Sequence, residues 1–309
     1  MDKEDAGAAK TSPGHSWSRV DGQWLGGRAQ AVGTTALAQG ALCPMPTDLL
    51  TLPKAAGAEV RRLLRWRPQR TTGPQATNPF LPPDQRLVLG SWGPAHTLLL
   101  NKYPIRPGHL LLITNGDQPQ SGWLSSQDWQ AAAALLERQD GLLFFNSGPG
   151  AGASQPHRHL QLLPRLPGRP CFPWEPWINQ PDGVYPWRLR KTSLPKRDGD
   201  PAATLERLYG QHLASLGLGS AKEQGQPLGA YNLLITADWF ITVPRRREEH
   251  QGVNINALGF AGMVLVTDRT NPAWLAAGGD VFGVLQAVGE ETSVTLRQRI
   301  PGSVAPPAY

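Results

Sequence analysis

The chain has 309 residues, of which 40% are hydrophobic, with 11 Trp, 34 Gly and 30 Pro. This composition can bury a substantial core but requires many turns. The net charge of +6 favours small anionic partners. We expect no binding to long nucleic acids, since no basic stripe is interleaved with aromatic residues.

The cysteine count and the hydropathy indicate the compartment in which the protein works. Two cysteines without a CxxC spacing give no sign of a disulfide framework or a cysteine zinc site, and they favour a reducing cytoplasm. The first residues contain no apolar segment, and no apolar run of about 18 residues occurs. We therefore expect a cytoplasmic protein without a membrane span.

The first part of the chain becomes regular only after a long irregular stretch. Residues 1–20 are small and polar, which predicts a disordered tail. The Ala-rich stretch 29–42 predicts a weak helix because its glycines lower helix propensity. Beyond a Pro- and Arg-rich stretch, three apolar runs separated by Gly and Pro predict strands at 86–89, 96–101 and 109–114.

A helix and two more strands follow. Residues 125–139 show apolar residues at helical spacing after a serine cap, which predicts a helix. The runs 141–148 and 158–164 predict strands on either side of a glycine-rich loop. Residues 167–189 contain too many prolines for a central strand or a helix, so we expect a linker at 167–200 that crosses the surface.

The second half repeats the pattern of strands and helices. It contains a predicted helix at 203–217, predicted strands at 230–236, 239–244 and 259–267, and a predicted terminal helix at 280–291. This order predicts an α+β fold with antiparallel sheets in two halves. We assign an N-terminal catalytic domain to 21–166 and a C-terminal domain to 201–309.

The stretch NSGPGAGASQPHRHLQ, residues 146–161, holds the candidate site. Gly148, Gly150 and Gly152 permit positive φ angles and a close approach of backbone N–H groups to an anion. Ser154 adds a hydroxyl donor. The alternative is an ordinary glycine-rich surface turn, and the strand that follows the loop decides against it.

In a strand, His157, His159 and Gln161 lie on one face. A neutral imidazole can attack phosphorus, and we expect His159 to do so, with one ring nitrogen held by a backbone carbonyl. Gln161 can donate a hydrogen bond but cannot activate water, which favours group transfer over hydrolysis. A metal-binding pair or structural histidines are the alternatives, although no further ligand motif is near.

These residues also carry a family resemblance. NSGPGAGASQPHRHLQ resembles the signature of the histidine triad superfamily, in the branch where Gln replaces the third His. NPFLPPD, HTLLLNKYPIRPGHLLLIT, AYNLLIT, ITVPRRREE and NINALGFAGMVLV resemble the ATP adenylyltransferase family, also called diadenosine tetraphosphate phosphorylases. The resemblance covers about residues 78–164 and 230–267 and implies a histidine-triad-like antiparallel sheet with helices.

The resemblance implies a two-step reaction. Diadenosine tetraphosphate would yield ATP and an adenylyl-histidine, and phosphate would then take the adenylyl group to give ADP. His159 would be the nucleophile, His157 would orient it, and Gln161 would contact the transferred phosphate. No covalent cofactor is implied, and Mg²⁺ would assist by neutralising the phosphates, although no motif marks a metal site.

The implied substrate contacts are spread along the chain. Asn101 would contact the ribose, while Pro107, Gly108 and His109 are implied to be structural. The α-phosphate would be lined by Asn146, Gly152, Ala153 and Ser154. Lys102 and Arg245 are candidates for the distal phosphates, with a solvated charge as the alternative in each case. Further candidates are Lys54 or Arg70 for the polyphosphate and Phe80 for stacking on adenine, with packing as the alternative for Phe80.

Three other functions share parts of this pattern. A dinucleoside polyphosphate hydrolase is disfavoured by Gln161. A hexose-phosphate uridylyltransferase has the same His-x-His-x-Gln motif but differs in the flanking segments. A nucleotide sensor without catalysis would have to retain the nucleophile without using it.

Overall fold

The computed structural model describes residues 22–64, 78–180, 185–195 and 199–291. The predicted tail 1–20 and the candidate Arg70 lie outside these residues. The helices are α1 (Gly22–Ala38), α2 (Ser126–Arg138), α3 (Glu175–Ile178), α4 (Pro201–Ser215), α5 (Pro272–Ala276) and α6 (Val281–Val288). Three short 3-10 helices span Gln85–Leu87, Pro149–Ala151 and Ala257–Ala261. Among the described residues, no helix is long and apolar enough to cross a membrane.

Thirteen strands are described. They are β1 (Thr47–Leu50), β2 (Glu59–Leu63), β3 (Val88–Trp92), β4 (His96–Leu100), β5 (Leu110–Thr114), β6 (Gly141–Asn146), β7 (His159–Pro164), β8 (Arg190–Ser193), β9 (Ala230–Ile235), β10 (Trp239–Arg245), β11 (Glu249–His250), β12 (Val253–Asn254) and β13 (Met263–Val266).

One antiparallel sheet of eight strands organises the molecule, in the order β3-β4-β5-β7-β6-β9-β10-β8. The first five strands come from residues 88–164 and the last three from residues 190–245. The pairing of β6 with β9, which sets Leu143 opposite Ile235, joins the two. The α+β prediction is confirmed, and the strands of both halves build a single sheet.

A second, three-stranded sheet links the halves again. Its order is β1-β2-β13, and β13 pairs in parallel with β2, so that Met263 lies opposite Glu59. Strands β1 and β2, near the start of the described residues, therefore pack with the C-terminal part of the chain. The domain boundaries suggested by the sequence stay predictions, since both sheets contain strands from the two halves.

The large sheet has a core on each face. Helices α2 and α4 pack together on one face, where Trp129 and Leu135 are fully buried. The other core includes residues of α3, α6 and the small sheet. Leu160 and Leu162 of β7 belong to the first core and Leu163 to the second. By strand alternation, His159 and Gln161 face the second side.

Two sequence predictions need correction. The predicted surface linker 167–200 buries Cys171, Phe172 and Trp174 and supplies the edge strand β8, because its aromatic residues pack into the second core although its prolines exclude a central strand. The predicted strand 259–267 begins in a 3-10 helix that ends at Gly262, whose φ of 85° stops it, and only Met263–Val266 is extended.

Several predicted helices are confirmed with their caps. Ser125 and Asp128 form a capping box at the start of α2. Asp200 caps α4 through the backbone N–H groups of Ala202 and Ala203. Helix α1 starts at Gly22, earlier than the predicted stretch 29–42.

Candidate active site

His159 is the first residue of β7 and is 3% exposed. Its Nδ1–H donates to the main-chain oxygen of His157 at 2.8 Å. Since a neutral imidazole carries one proton, Nε2 keeps its lone pair. Within the described part of the chain, no residue hydrogen-bonds to Nε2. The carbonyl contact predicted for one ring nitrogen is present in the structure. The attack of the other nitrogen on phosphorus stays a prediction.

Burial sets the protonation state of this imidazole. It lowers the pKa of His159 to about 4, and the hydrogen bond to His157 opposes the shift only in part. The ring is therefore neutral near pH 7. A neutral nitrogen with an available lone pair is the form of histidine that can act as a nucleophile.

The main-chain oxygen of His157 accepts the hydrogen bond from His159. Its own ring is fixed on both sides: Nδ1 accepts from the Asn78 amide at 3.0 Å, and Nε2–H donates to the Thr114 carbonyl at 2.8 Å. These bonds secure the backbone whose oxygen holds His159. Asn78 and Thr114 were not identified from the sequence, although Asn78 lies in the NPFLPPD segment that carried the resemblance.

Gln120 holds the main chain of His159. Its Oε1 accepts from the His159 N–H at 2.8 Å, and its Nε2 donates to the carbonyls of Asn146 at 2.8 Å and His159 at 3.1 Å. The pairing of β6 with β7 ends at Phe144 opposite Gln161. The Gln120 amide thus bridges β6 and β7 just beyond their last paired residues, next to the candidate nucleophile His159.

Asn146, at the end of β6, has a fixed amide. Its Oδ1 accepts from Asn232 Nδ2 at 2.8 Å and from the Ala257 N–H at 2.9 Å. The amide oxygen is thus occupied by groups of the second half, and the NH₂ group is left to donate elsewhere. This orientation is the one that a contact with a phosphate oxygen needs.

The glycine-rich loop is closed by its own hydrogen bonds. The N–H groups of Gly152 and Ala153 donate to the carbonyls of Pro149 at 2.8 Å and Gly148 at 3.0 Å. Gly152 has a φ of 82°, and a Cβ there would lie 2.5 Å from the Ile255 carbonyl. Its observed role is therefore close packing, and an anion contact through these two amides would require them to leave the loop's own bonds.

Arg245 lies beneath this loop and is 5% exposed. Its Nη1 donates to Asn232 at 2.6 Å, its Nη2 to the carbonyls of Arg247 at 2.8 Å and Ile255 at 3.0 Å, and its Nε to Val288 at 3.2 Å. Burial lowers its pKa to about 10, so it stays charged at neutral pH. All three nitrogens bind protein groups, and a contact with substrate stays a prediction.

Gln161 and Asn101 meet through His109. The His109 Nε2 atom lies 3.1 Å from Gln161 Oε1, and its Nδ1 atom lies 3.2 Å from Asn101 Nδ2. The structure thus joins two of the predicted site residues through a histidine that the resemblance implied to be structural. A ribose contact of Asn101 stays a prediction.

The remaining candidates lie in different settings. Phe80 is buried against both imidazoles, with ring centroids 5.6 Å from His157 and 5.4 Å from His159, so packing is its observed role. Ser154, Lys102 and Lys54 are exposed, and their phosphate contacts stay predictions. The neighbour of Arg245, Arg246, is exposed and pairs with Glu291 at 2.9 Å, as in a solvated charged turn.

A metal site is the alternative interpretation of the two histidines. Among the residues that the structure describes, no group of three His, Cys, Asp or Glu side chains could hold a metal ion.

The α+β fold holds a neutral, buried imidazole beside fixed amide donors, an arrangement that suits an enzyme of group transfer. Residues 16–180 match the model of the Ap4A phosphorylase N-terminal domain, and residues 181–291 match that of the ATP adenylyltransferase C-terminal domain. The chain belongs to the Ap4A phosphorylase family of nucleotidyltransferases, Ap4A being diadenosine tetraphosphate, and the predicted resemblance is confirmed.

Two yeast proteins and a solved structure are similar to this chain. Protein APA1 of Saccharomyces cerevisiae is 28% identical over 233 residues, covering 64% of this chain and 71% of the relative. Diadenosine 5',5'''-P1,P4-tetraphosphate phosphorylase 2 of the same yeast is 29% identical over 229 residues, covering 63% and 70%. The crystal structure of yeast Ap4A phosphorylase Apa2 in complex with Ap4A has a TM-score of 0.69 at 25% identity, covering 87% of this chain and 98% of that one.

Proposed function

We propose that this protein is an Ap4A phosphorylase, which converts Ap4A and phosphate into ADP and ATP through an adenylyl group carried on His159. The observation that supports it best is the His159 ring, with Nδ1–H bound to a carbonyl and Nε2 unengaged. The names of the similar yeast proteins point to the same reaction.

In the first step, Nε2 of His159 attacks an α-phosphorus of Ap4A. The bond between that phosphorus and the bridging oxygen to the β-phosphate breaks, and ATP leaves with the electron pair. The leaving group is a stable phosphate anion, so it needs no proton donor. The Nδ1 proton stays on the ring and keeps its hydrogen bond to the His157 carbonyl, which stabilises the positive charge that develops on the imidazole.

In the second step, an oxygen of inorganic phosphate attacks the adenylyl phosphorus. The phosphorus–nitrogen bond breaks, ADP leaves, and the neutral imidazole is restored. The amide groups of Asn146 and Gln161 would donate to the non-bridging oxygens in both steps, where charge builds up. Neither amide can remove a proton from water, which disfavours hydrolysis of the intermediate.

Two further features accompany this proposal. Mg²⁺ would arrive bound to the polyphosphate, whose oxygens are the hard ligands that it prefers, and it would neutralise part of the charge. The protein would work in the reducing cytoplasm, where Cys43 and Cys171, both free thiols in the structure, would remain reduced.

Intact-protein mass spectrometry tests the proposal. The protein is mixed briefly with Ap4A in phosphate-free buffer, next to His159→Ala and, as a matched histidine control, His250→Ala. We expect an added adenylyl mass on the parent and on His250→Ala only, discharged by phosphate to ADP. Release of ATP and AMP without an adduct would instead indicate a hydrolase, and tight binding without turnover would indicate a sensor.

A further inference from the structure

The amide of Gln161 can be turned in two ways, and only one serves a phosphate. With its NH₂ group toward the substrate it donates a hydrogen bond, and with its oxygen toward the substrate it repels the anion. An isolated amide has no strong preference between the two. Some neighbouring group must therefore set the direction of this side chain.

The hydrogen bonds that set the orientation of the Gln161 amide begin at Asn101, in the turn after β4. The Oδ1 atom of Asn101 accepts from the Tyr103 N–H at 3.0 Å, which leaves Nδ2 as the Asn101 atom that lies 3.2 Å from His109 Nδ1. The Ile105 N–H also points at this ring nitrogen, at 3.4 Å. The contact of Asn101 Nδ2 with the other ring nitrogen, Nε2, is longer, at 3.5 Å. Because two donors face Nδ1, we assign it as the acceptor, and the neutral ring then carries its proton on Nε2.

The proton on Nε2 then selects the Gln161 atom that it meets. His109 Nε2 lies 3.1 Å from Gln161 Oε1, so the imidazole donates to the amide oxygen. His109 is 1% exposed, and burial lowers its pKa to about 3, which keeps the ring neutral over the working pH range. Among the described residues, none hydrogen-bonds to the Gln161 amide nitrogen.

We propose that Asn101 and His109 are positioning residues, which fix the Gln161 amide with its NH₂ group toward the phosphate that His159 transfers. The proposal rests on the adenylyl transfer proposed above. It gives His109 a role in the reaction without contact to the substrate, and it gives Asn101 a role other than a ribose contact. The Tyr103 N–H thus fixes the amide of Asn101, Asn101 fixes the protonated nitrogen of His109, and His109 fixes the amide of Gln161.

A double-mutant cycle on the full-length protein tests the proposal. The variants are His109→Leu, His109→Gln, Gln161→Ala and the double variant His109→Leu/Gln161→Ala, and the readout is the rate of adduct formation with Ap4A. We expect His109→Leu to slow this step about tenfold to a hundredfold, as for a lost hydrogen bond to a charged group. His109→Gln retains an N–H donor and should recover most of the rate.

The decisive comparison is between the effect of His109→Leu in the parent protein and its effect in the Gln161→Ala variant. If His109 acts through Gln161, His109→Leu should cause no further loss there, because the amide that it orients is absent. An equal loss in both backgrounds would make His109 merely structural and overturn the proposal. Thermal unfolding of each variant shows whether the protein remains folded.

A measurement on the parent protein needs no variant and no activity. Long-range ¹H–¹⁵N spectra of the histidine rings report which nitrogen carries the proton. We expect His109 to be protonated on Nε2 alone from pH 5 to pH 9, and a proton on Nδ1 would overturn the proposal. An Nε2 proton together with no adduct on the parent would instead refute the adenylyl transfer and leave the orientation of Gln161 standing.

Discussion

The stretch from His157 to Gln161 sends alternate side chains to the two faces of the large sheet, and polar groups differ between the faces. On the helical face, Arg158 Nη1 donates to Asp128 at 3.0 Å, and Asp128 also contacts His96 Nε2 at 2.8 Å. On the other face, His159 and Gln161 each have one atom fixed and one unengaged. The charged groups on the helical face are paired with each other, whereas the half-fixed side chains on the other face keep an unengaged atom for reaction.

The carboxylate of Asp128 is fully engaged by its neighbours on the helical face. Burial raises its pKa, but hydrogen bonds from His96 and Ser125 and the charge of Arg158 more than offset that effect, so the pKa lies below its usual value. Asp128 therefore remains ionised and pairs with Arg158 inside the protein. The same residue also caps α2, which ties the helix to the strand of the active site.

The largest expected effect comes from breaking this pair. Asp128→Ala leaves the Arg158 charge buried without its partner, and we expect the free energy of unfolding to fall by about 3–5 kcal/mol. Urea unfolding measures the loss. The matched control is Asp140→Ala, which removes a half-exposed partner of Arg165 and should cost about 1 kcal/mol or less. Equal losses for the two variants would contradict the comparison between faces.

A smaller effect is expected at His157, on the reactive face. His157→Ala keeps the main-chain oxygen that holds His159 but loses the ring contacts to Asn78 and Thr114. We expect adduct formation to slow about tenfold to a hundredfold, because the carbonyl is less well fixed. Rapid mixing with Ap4A followed by mass spectrometry measures it. A loss as complete as that of His159→Ala would show that the His157 ring itself takes part.

The smallest effect is a displaced pH profile. Since the pKa of His159 is lowered to about 4, we expect the rate of adduct formation to stay flat between pH 8 and pH 5.5 and to fall by half near pH 4. Ap4A has no terminal phosphate that titrates in this range, so phosphate protonation does not contribute to the profile. A midpoint near 6.5, the value of an exposed histidine, would contradict the burial argument.

The same shift affects stability. Between pH 6.5 and about 4 the unfolded chain binds a proton at His159 that the folded protein does not bind, so the free energy of unfolding should decrease as the pH falls through this window. His109, with its pKa lowered to about 3, adds to the effect in the same direction. Thermal unfolding at a series of pH values measures the slope.

Local patterns predicted much of this molecule. The helix α2 was predictable because its apolar spacing and its capping box agree, and the shared face of His159 and Gln161 follows from strand alternation. The contacts that orient the site were not predictable, because they join distant positions. Asn232 lies 86 residues from Asn146, and Gln120 lies 39 residues from His159. No spacing in the sequence connects these amides to the motif.

The small sheet has a consequence for how the chain is made. Strands β2 and β13 are paired although they lie about 200 residues apart, a separation that slows folding because the loop must close before the contact forms. At a synthesis rate of about 5–20 residues per second, β2 emerges on the order of 10–40 s before its partner exists. During that interval one edge of β2 is open to other strands. The chain must therefore be synthesised through β13 before this sheet can form.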